Sequence, residues 1–246
     1  MGKVYLVGAG PGAADLITVR GMRLLARADV VLYDALVEPE MLEYCPQAQL
    51  IAVGKRCAGA ATAQRFINKT LLDCAARFGT VVRLKGGDPS LFGRAQEEID
   101  ALAAHGIKAE IVPGVTAALA AAAELGVSLT ERGVARNVVF ATARVGEGET
   151  GSDWVSAVAA ADTAVLYMGV RQAAEIAAAL TAAGLAASTP VRLVESASRP
   201  DCREFSFTLA TLPDAAQLAL SGPAILLLGD VFRARAALTT PLRAAA

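Results

Sequence analysis

Short β-branched runs alternate along this chain with alanine-leucine stretches of helical length, and that rhythm restricts the fold more than any other feature. A strand, a helix and a further strand make a crossover, so the pattern predicts βαβ units around a mostly parallel sheet. In the first half it places strands near 3–7, 30–33, 49–53, 80–85 and 109–112, and helices near 19–27, 63–77 and 92–105. Thr18 precedes "VRGMRLLARA", where its hydroxyl can cap the first helix. In the second half strands fall near 137–142, 163–167, 190–194, 204–209 and 224–228, with a helix at 153–161 behind the polar run "RVGEGETGSD". Beyond 190 the strands follow one another with little helix between them, which predicts a mixed second sheet. Pro113-Gly114 ends a strand, and Thr116 can cap a small-residue helix that leads onward. The chain therefore reads as two α/β domains, 1–114 and 115–246, with a frayed tail "LTTPLRAAA".

Composition narrows the function classes. Hydrophobic residues make up 54 %, but many are alanines, and no run approaches the roughly 18 apolar residues that span a bilayer. The N-terminus is already a strand with no leader pattern, so a cytoplasmic protein with no membrane partner is expected. A formal net charge of −1 with no basic stripe argues against nucleic acid. Five lysines stand against eighteen arginines. Arginine suits a bidentate grip on carboxylates and phosphates, although codon bias in a GC-rich genome is the weightier explanation and also accounts for the alanine. Cys45, Cys57, Cys74 and Cys202 fit no metal-ligand spacing and read as thiols. The single histidine, His105, sits before a glycine that looks like a helix stop, where it would complement the helix dipole. No Ser-His-Asp triad and no histidine metal site is expected.

Two glycine loops raise sharper questions. "YLVGAGPG" offers Gly8, Gly10 and Ala13 in the spacing of a dinucleotide fingerprint, with Asp34 ending a later strand. Pro11 has no N–H for a pyrophosphate, and the next helix waits until about Thr18, too late to hold the anion. "VRLKGGDPSLFGR" is a strand, a Gly86-Gly87 turn, and then Asp88-Pro89 as N-cap and first-turn residues of a helix. Paired glycines at a strand's carboxyl end are equally a place for a ligand in an open α/β sheet. Arg94, Glu97 and Glu98 fall at i, i+3 and i+4, a surface ion-pair cluster on one helix face. Met168, after a strand, reads locally as a core side chain.

Taken in order, "VYLVGAGPG…DLITVRG…LL…ADVVLYD.LV", "VGKR…Q..IN", "VVRLKGGDP..FGR..EE", "VPGVTAA", "GVSLT.R" and "VLYMG" make the chain similar to the tetrapyrrole C-methyltransferase family from residue 3 to about 232. The "GKR…Q..IN" element comprises Gly54, Lys55, Arg56, Gln64, Ile67 and Asn68. The resemblance implies two α/β domains with a ligand cleft between them, the first sheet mostly parallel and the second mixed, and a homodimer. It implies S-adenosyl-L-methionine as cofactor, leaving as S-adenosyl-L-homocysteine. The activity implied is two successive methyl transfers to pyrrole carbons of the tetrapyrrole uroporphyrinogen III; a later corrinoid precursor, or mere tetrapyrrole binding, are the alternatives. Carried over by position, Pro11, Gly86, Gly87, Asp88, Leu91, Thr116, Ala117 and Met168 would line the cofactor, with Ala197 and Ala224 in the second domain. Arg94, Glu97 and Arg132 match the catalytic positions beside the tetrapyrrole, and Asp34, Lys55, Arg56 and Arg94 the substrate pocket. The chain departs from the family where histidines are usual: it has Ala60-Ala61, Glu131 before Arg132, and Ala141-Thr142-Ala143.

Overall fold

The computed structural model describes residues 2–54, 60–145 and 151–233 of the chain. Lys55, Arg56, Cys57, much of the polar run at 144–153 and the tail lie outside the described residues. Two compact units divide the chain, Met1–Thr116 and Ala117–Ala246.

The first unit is built on five strands: β1 (Lys3–Gly8), β2 (Val30–Tyr33), β3 (Gln49–Ala52), β4 (Thr80–Lys85) and β5 (Ala109–Val112). They lie in the order β3-β2-β4-β1-β5, and every pairing is parallel. Alternate residues therefore feed two cores, because successive side chains point to opposite faces. Val4, Leu6, Val30, Leu32 and Val81 face α2 (Ala60–Arg77) and α3 (Ala95–Ala103), meeting Ile67, Leu71 and Leu102. Val7, Val31, Val82 and Leu84 face α1 (Val19–Leu25) and a 3-10 turn at Pro39–Tyr44, meeting Leu24, Leu25 and Met41. The cap expected of Thr18 is present: its hydroxyl accepts the Gly21 N–H at 3.1 Å and starts α1.

Chain direction decides which face each crossover takes. From β1 to β2 the chain moves one way along the sheet and α1 covers one face. From β4 to β5 it moves the other way and α3 covers the opposite face. Right-handed crossovers require this reversal. Beyond the carboxyl ends of neighbouring strands β1 and β4 the chain thus departs to opposite sides, the topological switch point where open α/β sheets hold ligands.

The second unit carries β6 (Val138–Thr142), β7 (Thr163–Tyr167), β8 (Pro190–Glu195), β9 (Arg203–Thr208) and β10 (Ala224–Gly229), in the order β6-β7-β10-β8-β9. β6 and β7 are parallel, while β10 runs antiparallel to β7 and β8, and β9 antiparallel to β8. The sheet is mixed, as the crowding of strands beyond 190 predicts. α4 (Ala117–Glu124) packs against one face through Ala118, Ala120, Ala121 and Ala122, opposite Val165, Val194, Ile225 and Leu227. α5 (Trp154–Ala159) and α6 (Ala173–Ala182) cover the other face. The sequence reading did not include α6, an almost uncharged alanine helix whose inward residues are Ala173, Ile176, Ala177 and Leu180.

Local details follow the same chemistry. His105 lies just past α3, and its Nδ1 meets the Ala101 carbonyl at 3.0 Å. Cys45 and Cys74 are buried thiols, and burial raises both pKa values. Burial, with Glu124, Glu204 and Asp201 nearby, pushes Cys202 up to about 11, so it stays a thiol at neutral pH. No helix among the described residues is long and apolar enough to cross a membrane.

One buried carboxylate ties the second sheet to its edge. Glu195 ends β8, and its Oε1 accepts the N–H groups of Ser221 (2.6 Å) and Gly222 (2.7 Å), while Arg203 Nε donates to Oε2 at 2.7 Å. Burial opposes ionisation, but the Gly222 N–H, Arg203 and the Ser221 N–H outweigh it and hold the Glu195 pKa below its ordinary value. A carboxyl whose folded pKa is depressed stabilises the fold fully above the unfolded value, about 4.3, and loses that contribution as pH falls through the folded one. Glu195→Gln is therefore expected to lower stability at neutral pH and to flatten the acid limb below about pH 4 in urea unfolding. Parallel acid limbs in parent and variant would contradict the linkage.

Candidate functional site

Three loops leave the carboxyl ends of β1, β4 and β5, and glycine lets their backbones touch. A Cβ on Gly8 would stand 2.6 Å from the Gly114 Cα and 2.7 Å from the Gly87 carbonyl oxygen. One on Gly114 would stand 2.3 Å from that same oxygen. Gly10 and Gly87, both with positive φ, form an antiparallel bridge: Gly10 N–H donates to Gly87 O at 3.2 Å and Gly87 N–H to Gly10 O at 2.7 Å. Ala9 N–H donates to Lys85 O at 2.8 Å. The dinucleotide cradle is thus absent for a second reason besides Pro11, since the loop spends its donors on a neighbouring loop.

Asp88 has a role that differs from the expected one. No helix starts there; the chain stays irregular until α3 opens at Ala95. Its Oδ1 accepts Ser90 N–H at 2.7 Å and its Oδ2 accepts Gly114 N–H at 2.9 Å. The residue staples its own turn to the loop after β5. Within that turn Phe92 and Arg94 adopt the left-handed conformation, at φ 53° and 55°, which a side chain with a Cβ takes at a cost.

The Arg94, Glu97, Glu98 face also divides. Arg94 Nε and Nη2 grip Glu97 at 2.6 and 2.8 Å, a half-exposed bidentate pair. Glu98 instead joins Ala95 and Leu102 on the inward stripe of α3, and it is fully buried. There its Oε1 receives Arg83 Nε at 3.1 Å, Lys85 Nζ at 2.9 Å and Gln64 Nε2 at 3.4 Å. Its Oε2, equally shielded, has no hydrogen-bond partner among the described residues. Arg83 also pairs with Asp34 through Nη2 and donates Nη1 to the Leu84 carbonyl at 3.1 Å. Burial and the neighbouring Arg83 lower the Lys85 pKa, against the pull of Glu98. Sequence reasoning named Asp34, placed Glu98 in a surface ion-pair cluster where the structure buries it, and missed Arg83 and Lys85. The available signal was period two: both cations of "VVRLK" alternate onto the α2–α3 face of a run that is otherwise apolar.

Several expected positions therefore meet around the switch point: the Gly10-Pro11 loop, Gly86, Gly87 and Asp88, with Thr116 Cα about 4.0 Å from where a Gly87 Cβ would be. Pro11 and Leu91 are half-buried at its edges, and Asp34 lies behind it on Arg83.

In the second unit, register gathers another set. Tyr167 pairs with Ile225 and Glu195 with Ala224, so the carboxyl ends of β7 and β8 flank the start of β10. Met168, Ala197 and Ala224 therefore share one end of this sheet. Met168 is not the core side chain that its place after a strand predicts: it is 47 % exposed and left-handed, at φ 56°. Ala197 is buried between two left-handed serines, Ser196 and Ser198, and Glu124 Oε1 accepts Ser198 N–H at 2.9 Å. The start of α4, with Ala117, is fixed nearby by Tyr167, whose hydroxyl accepts Ala118 N–H at 3.2 Å. Arg132 is exposed on a tight turn closed by a Glu131–Ala135 bridge. Sequence reasoning had no means of seeing the strained serines.

Known proteins resemble the chain closely. The family profile described as Tetrapyrrole (Corrin/Porphyrin) Methylases matches residues 3–213. A uroporphyrinogen-III C-methyltransferase from Pseudomonas aeruginosa is 47 % identical over 233 residues, covering 94 % of this chain and 95 % of its own. A siroheme synthase from Pseudomonas putida is 46 % identical over 95 % of this chain, which spans 51 % of that longer protein. The uroporphyrin-III C-methyltransferase of Thermus thermophilus, solved in complex with S-adenosyl homocysteine, superposes with a TM-score of 0.82 at 39 % identity, over 94 % of this chain and 98 % of that one.

The glycine contacts yield a direct test. Gly114→Ala forces a methyl group against backbone that cannot rotate away, so it should lower the unfolding free energy by about 1–3 kcal/mol in urea titration. A loss under about 0.5 kcal/mol, the range of ordinary surface substitutions, would show that the three loops do not depend on this contact.

Proposed function

Because the chain belongs to the tetrapyrrole methylase family, we propose that it is an S-adenosyl-L-methionine-dependent C-methyltransferase acting twice on uroporphyrinogen III to give precorrin-2. The observation that carries this reading is the interlocked loop cluster at the switch point. The N–H groups of Ala9, Gly10, Gly87 and Gly114 are engaged within it. A pyrophosphate ligand would find those donors occupied, whereas a sulfonium cofactor has no phosphate and fits a cradle of exposed backbone and small side chains. When bound, the cofactor supplies an electrophilic methyl group, the new C–C bond forming as the S–C bond breaks and its electron pair returns to sulfur.

The protein's own part is positioning and charge. Gly86, Gly87, Leu91, Thr116 and Pro11 would line the cofactor, with Asp88 holding their turn in place through Ser90 and Gly114. The resemblance gives the same role to Ala117, Met168, Ala197 and Ala224. The substrate is a polycarboxylate, and Arg94 is the proposed anchor: its guanidinium is pre-oriented by Glu97 and half exposed. Arg132 would be a further cation, with Asp34, Lys55 and Arg56 completing the pocket. The methylated ring must release a proton. Glu97 can accept it as a carboxylate, whereas the Arg94 guanidinium is already protonated at neutral pH. A homodimer in the cytoplasm belongs to the same proposal.

A second reading, action on a later corrinoid precursor, rests on Glu131 and Ala141-Thr142-Ala143, which stand where the family resemblance implies histidines.

Mass spectrometry of an anaerobic reaction with uroporphyrinogen III and the cofactor should show a product gaining two methyl groups. Arg94→Ala should lower kcat/KM about 10- to 100-fold, the worth of a charged hydrogen bond, while S-adenosyl-L-homocysteine still binds. No methylated product from uroporphyrinogen III, with turnover of a later precursor, would transfer the assignment to the second reading.

A further inference from the structure

The first unit carries a second concave surface that shares no residue with the loop cluster. α1 lies along one face of the sheet and projects Arg20, Arg23 and, just past its end, Arg27 at i, i+3 and i+7, one helical stripe. β5 is an edge strand, so nothing in the sheet lies beyond it, and its Glu110 pairs in register with Tyr5 of β1 on the face that α1 covers. Tyr5, Leu24, the three arginines and Glu110 line a cleft of about 440 Å³. That volume falls within the range of small-molecule sites.

The charge arrangement is costly without a ligand. Three cations face one carboxylate, and among the described residues none of the three arginines has an ion-pair or hydrogen-bond partner for its guanidinium. Like charges three or four residues apart destabilise a helix. Arg20 adds to this by standing in the first turn, at the positive end of the helix dipole. Several other arginines hold an acid in contact: Arg83 has Asp34 and Glu98, Arg94 has Glu97, Arg203 has Glu195. Here the one acid, Glu110, forms no ion pair with the arginines, and a cleft lies between them.

We propose that this cleft binds a multivalent anion, carrying two or more carboxylate or phosphate groups, at a site separate from the loop cluster. The guanidinium forks match either group bidentately, and the Tyr5 ring with Leu24 offers an apolar wall to the body that carries them. Glu110 repels the same ligand and so tunes affinity downward, leaving a monovalent anion too little attraction to stay.

Calorimetry on the full chain tests this with two probes, pyrophosphate for a phosphate source and tricarballylate for a carboxylate source, at about 0.15 M ionic strength. At least one should bind, and whichever does identifies the source. Arg20→Gln combined with Arg27→Gln should weaken that binding about tenfold or more, as loss of charged hydrogen bonds does. Glu110→Gln should tighten it. Affinity for S-adenosyl-L-homocysteine should stay unchanged in every variant, which separates this site from the proposed cofactor site, and thermal melts should show that the variants fold. Absence of heat with both probes, or equal affinity in parent and double variant, overturns the proposal.

Discussion

Where β1, β4 and β5 end, backbone meets backbone at distances that leave no room for a side chain. Gly8 and Gly114 supply that room from two separate stretches, both pressed against the Gly87 carbonyl, and Asp88 closes the arrangement by accepting the Gly114 N–H. A parallel sheet has its loops held far apart in sequence, so their mutual position must be set by contact rather than by a tight turn. Glycine carries an entropic cost in the unfolded chain. That cost is offset here by geometry no other residue permits: strand ends drawn close enough for one loop to hydrogen-bond the next.

Beneath those loops lies the second constraint. Arg83 and Lys85 point into a face that is otherwise hydrocarbon, and Glu98 reaches down from α3 to meet both. Charges buried this way are weak evidence for stability, because desolvation consumes much of the attraction. Removing one partner is another matter, since it strands the rest without water. The group therefore fixes position: α3 cannot slide or rotate on β4 without uncoupling these ions, and α3 also carries Glu97, the partner of Arg94. The half-exposed pair and the buried cluster hang on consecutive residues of one helix, Glu97 and Glu98, which point about 100° apart.

Much of this was legible in the residues. Periodicity placed the ten strands to within a residue or two, Thr18 announced α1, and the crowding of strands after 190 implied a mixed sheet. Misreadings cluster where a local rule met a distant partner. Asp88-Pro89 has the chemistry of a helix cap, yet the carboxylate serves Gly114, 26 positions away, which no local pattern encodes. Glu97 and Glu98 are neighbours in sequence, and only the docking of α3 decides that one is wet and the other dry. Met168, Ser196 and Ser198 are left-handed for tertiary reasons, since their residue types do not favour it. The family motifs drew attention to Met168 and Ala197 without supplying that reason.

The placement of β10 has a consequence for how the chain acquires its shape. It comes last in chain order among the described strands, yet it lies at the centre of its sheet, between β7 and β8. Until it emerges, β6-β7 and β8-β9 are two separate ribbons with no hydrogen bond between them, and the apolar flanks of β7 and β8 stand unpaired. The first sheet has no such delay, because all five of its strands have been made by Val112. On a ribosome the chain would complete its first unit early and keep the second open until β10 emerges. The half that waits is the half with the most unpaired strand edge to protect.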